Sequence, residues 1–332
     1  MAEQALIAQF DAVLADLDGV VYLGPHAIPG ATDALKRLAD FGVGLAYVTN
    51  NASRSPAAVA AHLRELGAPA EDHQVVSSAQ AGAALLAEKF PPGSKVLVTG
   101  SEALAREVEL VGMRTVRSAR EGAVVVIQGF EPTLSWKELA EASYAIAGGA
   151  AWVATNTDMT IPQAGGIAPG NGTLVAAVQA ATGKDPLVAG KPEAVLFHKA
   201  ADRVGSTHPL VVGDRLDTDI LGGNNAAMAT AVVLTGVDTF TTILAARTVE
   251  RPRFLLATLA ELFEPYPQIR REGEAFRCGQ ATASAADGTV TIWGAQEDAD
   301  SWRCACAAWW NAEPHATAAK SPELRWHSGS KG

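Results

Sequence analysis

Short apolar runs alternate with stretches of helical spacing from the start of the chain. Residues 12–16, AVLAD, are four apolar positions ending in an acid, the pattern of a strand buried on both faces of a parallel sheet. Over 31–41 the apolar positions Ala31, Ala34, Leu35, Leu38 and Phe41 follow a helical period, and Gly42 is placed to stop it. GLAYVTN at 44–50 predicts a second strand. Ser55-Pro56 predicts a helix by N-cap and first position, closed by Gly67. This β-α-β-α succession predicts a parallel sheet with helices on both faces.

The middle of the chain predicts strands at 95–99, 123–128 and 152–155, with helices at 102–110 and 135–147. A Gly/Pro-rich stretch, TNTDMTIPQAGGIAPGNG, reads as a long loop before a helix at 173–182. Helices are then expected at 192–204 and 218–228, and strands at 209–213, 231–234 and 254–255. After Glu264-Pro265-Tyr266-Pro267 the style changes. A strand-like TVTIWGA (289–295) and a helix-like DSWRCACAAWW (300–310) suggest a small α+β appendage. Five of the seven tryptophans and all three cysteines fall there, which sets this stretch apart in composition.

The length of 332 residues suits two or three compact units, and 48 % apolar content supplies ample core. The net charge of −10 disfavours binding to nucleic acid or anionic membrane, so an anionic substrate needs a local cluster of cations. No run approaches the roughly 18 apolar residues of a membrane span. The N-terminus lacks a signal-peptide pattern, so a cytoplasmic location is expected. Cys278, Cys304 and Cys306 give no disulfide framework and too few ligands for structural zinc.

Four strand-end motifs carry the candidate chemistry. Asp16-Leu17-Asp18-Gly19 directly follows an apolar strand, and residues two apart share one side of an extended chain. The two carboxylates repel one another unless a divalent cation lies between them. D-x-D-G also begins calcium loops, but the acids such a loop needs do not continue here. Thr49-Asn50-Asn51 offers a hydroxyl and backbone N–H groups to phosphate oxygens, or simply ends its strand. Lys191, before Pro192, offers a point charge, or is an ordinary surface lysine. Gly213-Asp214 at a strand end could complete the oxygen shell of a magnesium ion, with Asp219 orienting it from behind. Asp217 could instead simply cap the following helix.

In this order, the four motifs resemble the signature of the haloacid dehalogenase-like superfamily, over roughly residues 11–260. The resemblance implies a Rossmann-like α/β parallel-sheet core. It implies that Asp16 attacks phosphorus and becomes an aspartyl-phosphate, with Asp18 protonating the leaving oxygen and then activating water. Thr49 and Lys191 would hold the phosphoryl group, with Asn50 and Asn51 as further substrate contacts. Mg2+ would be bound by Asp214, Asp16 and Asp18, the last through its main-chain carbonyl, with Asp219 behind them. An acid at Asp18 favours hydrolysis over the pump and dehalogenase chemistries of the superfamily, while phosphomutases keep both acids.

The span between the second and third motifs has its own α/β succession. It resembles the branch with a large inserted cap, which includes 4-nitrophenylphosphatases, phosphoglycolate phosphatases and glycerol-phosphate phosphatases. DLDGVVYLG, VTNN, ATNTD and GDRLDTDILGGNNA agree with that branch, most closely with actinobacterial glycerol-3-phosphate phosphatases. The implied layout is core at 1–78 and 188–263, cap at 79–187 and an appendage at 264–332, for which an acetyltransferase-like fold is conceivable. The implied substrate is a small phosphorylated metabolite, best glycerol 3-phosphate, with phosphoglycolate as the rival. Asn156 and Asp158 are the first candidates for specificity in the cap, though they could equally only shape their loop. Arg54 could meet an anionic end of the substrate or be a plain surface charge. A homodimer is left open.

Overall fold

The structure is a computed structural model that describes residues 4–163 and 165–327. The chain divides into two compact units. One comprises the residues up to Leu23, Ala27–Leu45 and those from Thr207 onward; the other comprises Gly24–His26 and Ala46–Ser206.

In the first unit, four parallel strands run in the order Phe254–Leu256, Ala229–Val233, Pro209–Gly213 and Ala12–Ala15. Every side chain in them except Ala229 is buried. Burial on both faces is why these segments read as unbroken apolar runs. Ala15 lies opposite Val212, and the Asp16 N–H donates to the Val212 carbonyl at 2.9 Å. Asp16 and Asp214 therefore leave the sheet from adjacent strand ends. The helix Ala31–Arg37 continues as a 3-10 turn, Leu38–Phe41, and stops at Gly42, whose φ of +65° suits glycine.

The C-terminal stretch forms a five-stranded sheet. Arg270–Glu272, Ala275–Cys278, Ala281–Ala286 and Thr289–Trp293 form an antiparallel meander, and Glu323–His327 adds to the last of them in parallel. The helix Ala299–Ala312 packs on this sheet. Among the described residues, the appendage shares its core with the rest of its unit. Cys278, Ile292, Trp302, Cys304, Ala305 and Trp309 share one apolar cluster with Leu216, Ile220, Val232, Leu244 and Leu255 of the parallel-sheet part.

The second unit holds the end of the strand Gly44–Thr49, whose residues 47–49 pair in parallel with Val75–Ser77. It also holds a five-stranded parallel sheet in the order Leu187–Val188, Ala151–Ala154, Val125–Gln128, Lys95–Thr99, Arg114–Val116. Trp136–Ala147 and Asn171–Thr182 enclose a core of Leu97, Val126, Ala142, Ile146, Trp152 and Val178.

Several elements differ from the sequence reading. Val75–Ser77 and the helix Ser78–Lys89 were not expected; Ser77 and Gln80 start that helix as a capping box. The stretch read as a long loop contains a hairpin, Thr160–Gln163 with Gly166–Pro169, and Ala164 in it lies outside the described residues. The helix expected from 192 begins at Ala194, because residues 190–193 form a turn closed by the Glu193 N–H on the Gly190 carbonyl. The helix expected at 218–228 is a π-helical turn, Leu216–Ile220, followed by Leu221–Asn225. No helix among the described residues is long and apolar enough to cross a membrane.

Candidate active site

In the first unit, Asp16, Asp214 and Asp219 each present a carboxylate oxygen, and the three oxygens lie within 4.8 Å of one another. Asp214 and Asp219 are buried and Asp16 is half-buried. Three carboxylates this close strongly disfavour one another unless a cation joins them. All three donors are hard carboxylate oxygens, two at adjacent strand ends and one in the turn Leu216–Ile220, which suits magnesium or calcium and not a thiophilic metal. The donor set therefore fits the implied Mg2+. Asp219, expected behind the metal, stands within this group. Asp18 places no carboxylate in it. Its side chain is exposed, in a turn where the Gly19 N–H donates to the Tyr22 carbonyl at 2.8 Å.

Backbone holds these acids in place. The Val237 N–H donates to Asp214 Oδ2 at 2.7 Å, and the Arg215 N–H to Asp219 Oδ2 at 3.2 Å. The Thr235 hydroxyl donates to the Gly19 carbonyl at 2.6 Å. A Cβ on Gly236 or Gly19 would run into Asp214, and one on Gly213 into Asp219. Glycine at these places lets main chain close around the carboxylates. The loop 235–238 was missed from sequence. Its signal was the one used elsewhere: a buried strand, Ala229–Val233, running into Thr-Gly.

In the second unit, Asn50 is the hub of a separate polar group. Its Nδ2 donates to both Asp158 carboxylate oxygens, at 3.0 and 3.1 Å, and to the Lys191 carbonyl at 3.2 Å. Its Oδ1 accepts the Lys191 N–H at 2.8 Å. The Asn50 carbonyl accepts from Asn156 Nδ2 at 2.7 Å and from the Ser78 hydroxyl at 2.6 Å. Asn171 Nδ2 fixes Asn156 through its carbonyl at 2.7 Å. Lys191 is 96 % buried by surface area, being 4 % exposed, and its Nζ donates to the Val48 carbonyl at 3.3 Å. An ammonium this deep needs anionic or carbonyl oxygens around it. A Cβ on Gly190 would strike the Thr155 carbonyl and Asn50 Oδ1, so glycine there lets Lys191 enter.

Thr49, Asn50, Lys191, Asn156 and Asp158 thus gather in one unit and Asp16, Asp214 and Asp219 in the other. The Thr49 hydroxyl accepts the Asn51 N–H at 3.1 Å. Asn51 spends its side chain locally: its Oδ1 accepts from the Ser53 N–H at 2.8 Å and the Arg54 N–H at 3.1 Å. Arg54 itself is exposed. A cavity of about 620 Å³ in the second unit, lined by Thr99, Glu102, Arg117, Glu131 and Lys137 among others, contains none of the candidate residues.

A family model of haloacid dehalogenase-like hydrolases matches residues 13–114, and a HAD-hydrolase-like model matches residues 188–262. The chain is 46 % identical over 261 residues to D-glycerol 3-phosphate phosphatase of Mycobacterium tuberculosis, covering 79 % of this chain and 73 % of that one. This chain belongs to the haloacid dehalogenase-like hydrolases. It is 39 % identical over 259 residues to glycerol-3-phosphate phosphatase of Gallus gallus, covering 71 % of this chain and 83 % of that one. A crystal structure of glycerol phosphate phosphatase from Mycobacterium tuberculosis in complex with magnesium superposes with a TM-score of 0.84 at 38 % identity, over 99 % of this chain and 96 % of that one. That match includes the appendage.

Proposed function

We propose that this hydrolase is a magnesium-dependent phosphatase of glycerol 3-phosphate, acting in the cytoplasm through an aspartyl-phosphate on Asp16. The observation that carries the reading is the group of Asp16 and Asp214, at adjacent ends of buried parallel strands, with Asp219 of the turn Leu216–Ile220, and with Asp18 two residues from the first. The named substrates of the Mycobacterium tuberculosis and Gallus gallus relatives support the choice of glycerol 3-phosphate.

The proposed reaction has two displacements. An Asp16 carboxylate oxygen attacks phosphorus, and the bond from phosphorus to the glycerol oxygen breaks. The protonated Asp18 gives its proton to that leaving oxygen, so glycerol departs neutral. Asp18, now a carboxylate, takes a proton from water as the water oxygen attacks the phosphoryl group. The Asp16–phosphorus bond breaks, inorganic phosphate leaves, and both acids return to their starting states. Thr49 and the Lys191 ammonium hold the phosphoryl oxygens. The Lys191 charge offsets the repulsion between an anionic nucleophile and a phosphate dianion. Asp16, Asp214 and Asp219 would hold Mg2+, which when bound would supply positive charge against the charge that develops on the phosphoryl oxygens.

Asn50 fixes Lys191 on one side and Asp158 on the other, so a substrate-reading role for Asp158 and Asn156 reaches the phosphate grip through one side chain. A panel of small phosphomonoesters at fixed magnesium tests the substrate. The highest kcat/KM is expected for glycerol 3-phosphate; a higher value for phosphoglycolate, or no preference for three-carbon polyol phosphates, defeats it. Replacing Asp16 by Asn tests the mechanism. Phosphate release is expected to fall about 10⁴-fold or more, and release at the parent rate refutes the covalent route.

A further inference from the structure

We infer that the C-terminal appendage positions the metal-binding aspartates, acting through Phe240 and Asp238. The inference rests on the reading that Asp16, Asp214 and Asp219 hold magnesium. Asp238 clamps the fourth motif on both sides of Arg215. Its N–H donates to the Asp214 carbonyl at 3.1 Å, and its Oδ2 accepts the Leu216 N–H at 2.6 Å. Directly after it comes the helix Phe240–Leu244, started by a Thr239–Thr242 capping box. A helix of five residues does not hold itself, so its place must come from packing.

The appendage supplies that packing at both ends of the helix. The Phe240 ring lies flat on the Trp302 indole, with centroids 4.9 Å apart and planes 1° from parallel. Trp302 is itself fixed, its Nε1 donating to the Gln296 carbonyl at 2.7 Å and its ring meeting the edge of Trp326 at 5.3 Å. At the other end, the Leu244 carbonyl accepts from Trp310 Nε1 at 3.1 Å and the Ala245 carbonyl from the Lys320 N–H at 2.9 Å. Leu216 and Ile220, which bracket the turn bearing Asp219, lie in the same apolar cluster as Trp302 and Trp309. The metal loop and the appendage are thus one packed body. Carboxylates that repel one another drift apart when their supports loosen, and the appendage is what keeps these supports tight.

The test is calorimetric titration of the full chain with magnesium alone, without substrate. In Phe240→Ala and Asp238→Ala the magnesium Kd is expected to rise about 10–100-fold, the range typical of lost supports behind metal ligands. Phe240→Tyr, which keeps the stacked ring, is expected to bind as the parent does. Leu324→Ala, an apolar truncation on the strand Glu323–His327 of the same cluster, is expected to lower Tm and leave magnesium affinity at the parent value. Should Phe240→Ala fail to fold, Phe240→Leu, which keeps an apolar side chain but loses the ring stacked on Trp302, carries the test and shifts Kd in the same direction. Unchanged affinity in the Phe240 variants that lose the ring overturns the inference, and so does equal weakening in Leu324→Ala. A parent chain that binds no magnesium overturns the metal reading and the inference together, whereas parent binding with unchanged variants overturns the inference alone.

Discussion

Asp16 and Asp18 are separated by one residue, yet the structure treats them differently. Asp16 sits half-buried among the other two acids, while Asp18 is exposed in a turn. That contrast fits a nucleophile held in a charged site and a proton carrier open to the leaving group. It gives a prediction for Asp18→Asn. With glycerol 3-phosphate, kcat is expected to fall about 10²–10⁴-fold, the usual worth of general acid–base catalysis. 4-Nitrophenolate leaves without a proton, so the first step with 4-nitrophenyl phosphate survives while water attack is slowed. Rapid mixing should then show a burst of one nitrophenolate per enzyme before slow turnover. A second prediction concerns Gly236, where a Cβ would meet Asp214. Gly236→Ala should raise the magnesium concentration needed for half-maximal rate while the circular dichroism spectrum stays that of the parent. Activity with unchanged magnesium dependence would count against the crowding argument. Asp16, Thr49 and Asp214 were legible as candidates because each follows or ends an apolar run, and Lys191 because it precedes a proline and a helical pattern, signals carried by immediate neighbours. Asp238 and the Asn50–Asp158 bond were not, because 22 residues separate Asp238 from its partner Leu216 and 108 separate Asn50 from Asp158.

At the scale of elements, buried strands were read best. AVLA, LAYV and PLVVG are apolar throughout because parallel strands here are covered on both faces. The short Val75–Ser77 strand and the first three strands of the appendage meander were not read, whereas TVTIWGA contains its fourth, Thr289–Trp293. Three apolar or small residues carry little periodicity, and Ala281–Ala286 has four alanines in six residues, which favours no strand. The helix 300–310 was visible and spans Ala299–Ala312. Its Arg303 is 6 % exposed and reaches out of the appendage to the Leu255 carbonyl, from Nε at 3.1 Å and from a terminal nitrogen at 2.8 Å. It also pairs with Glu261, and with Asp300 at 2.7 Å. Removing one partner of a buried ion pair leaves the others uncompensated, so Arg303→Ala should cost about 3–5 kcal/mol in urea unfolding. A loss within the error of the extrapolation would show that the arginine's bonds are dispensable to stability. The same helix makes its thiols inert. Burial pushes the Cys304 thiol up to about 12 and those of Cys278 and Cys306 higher still. Only about one Cys304 in 10⁴ is then thiolate at pH 8. A thiol reagent should modify none of the three in the native chain at pH 8 and all three in guanidinium.

For the whole chain, the composition shift after residue 263 suggested a separate unit, and the packing is tighter than such a boundary implies. Ile220, Ile243, Leu244 and Leu255 are buried in one cluster with Cys278, Trp302, Cys304 and Trp309. Sequence patterns could locate this cluster's members but not their partners, since an apolar position states that a residue is covered without stating by what. The consequence can be tested by ending the chain at residue 263. Exposing four such side chains costs up to about 1.5–3 kcal/mol each, hence about 6–12 kcal/mol together. A folded domain holds only about 5–15 kcal/mol in total. The loss is therefore comparable to the whole stability, and new apolar surface would lie beside a short helix stripped of its stacked tryptophan. The truncated chain should show low soluble yield and no cooperative transition by scanning calorimetry, with magnesium failing to restore one. A truncated chain that melts cooperatively within a few degrees of the parent would show that the parallel-sheet part supports itself and that the shared cluster is dispensable.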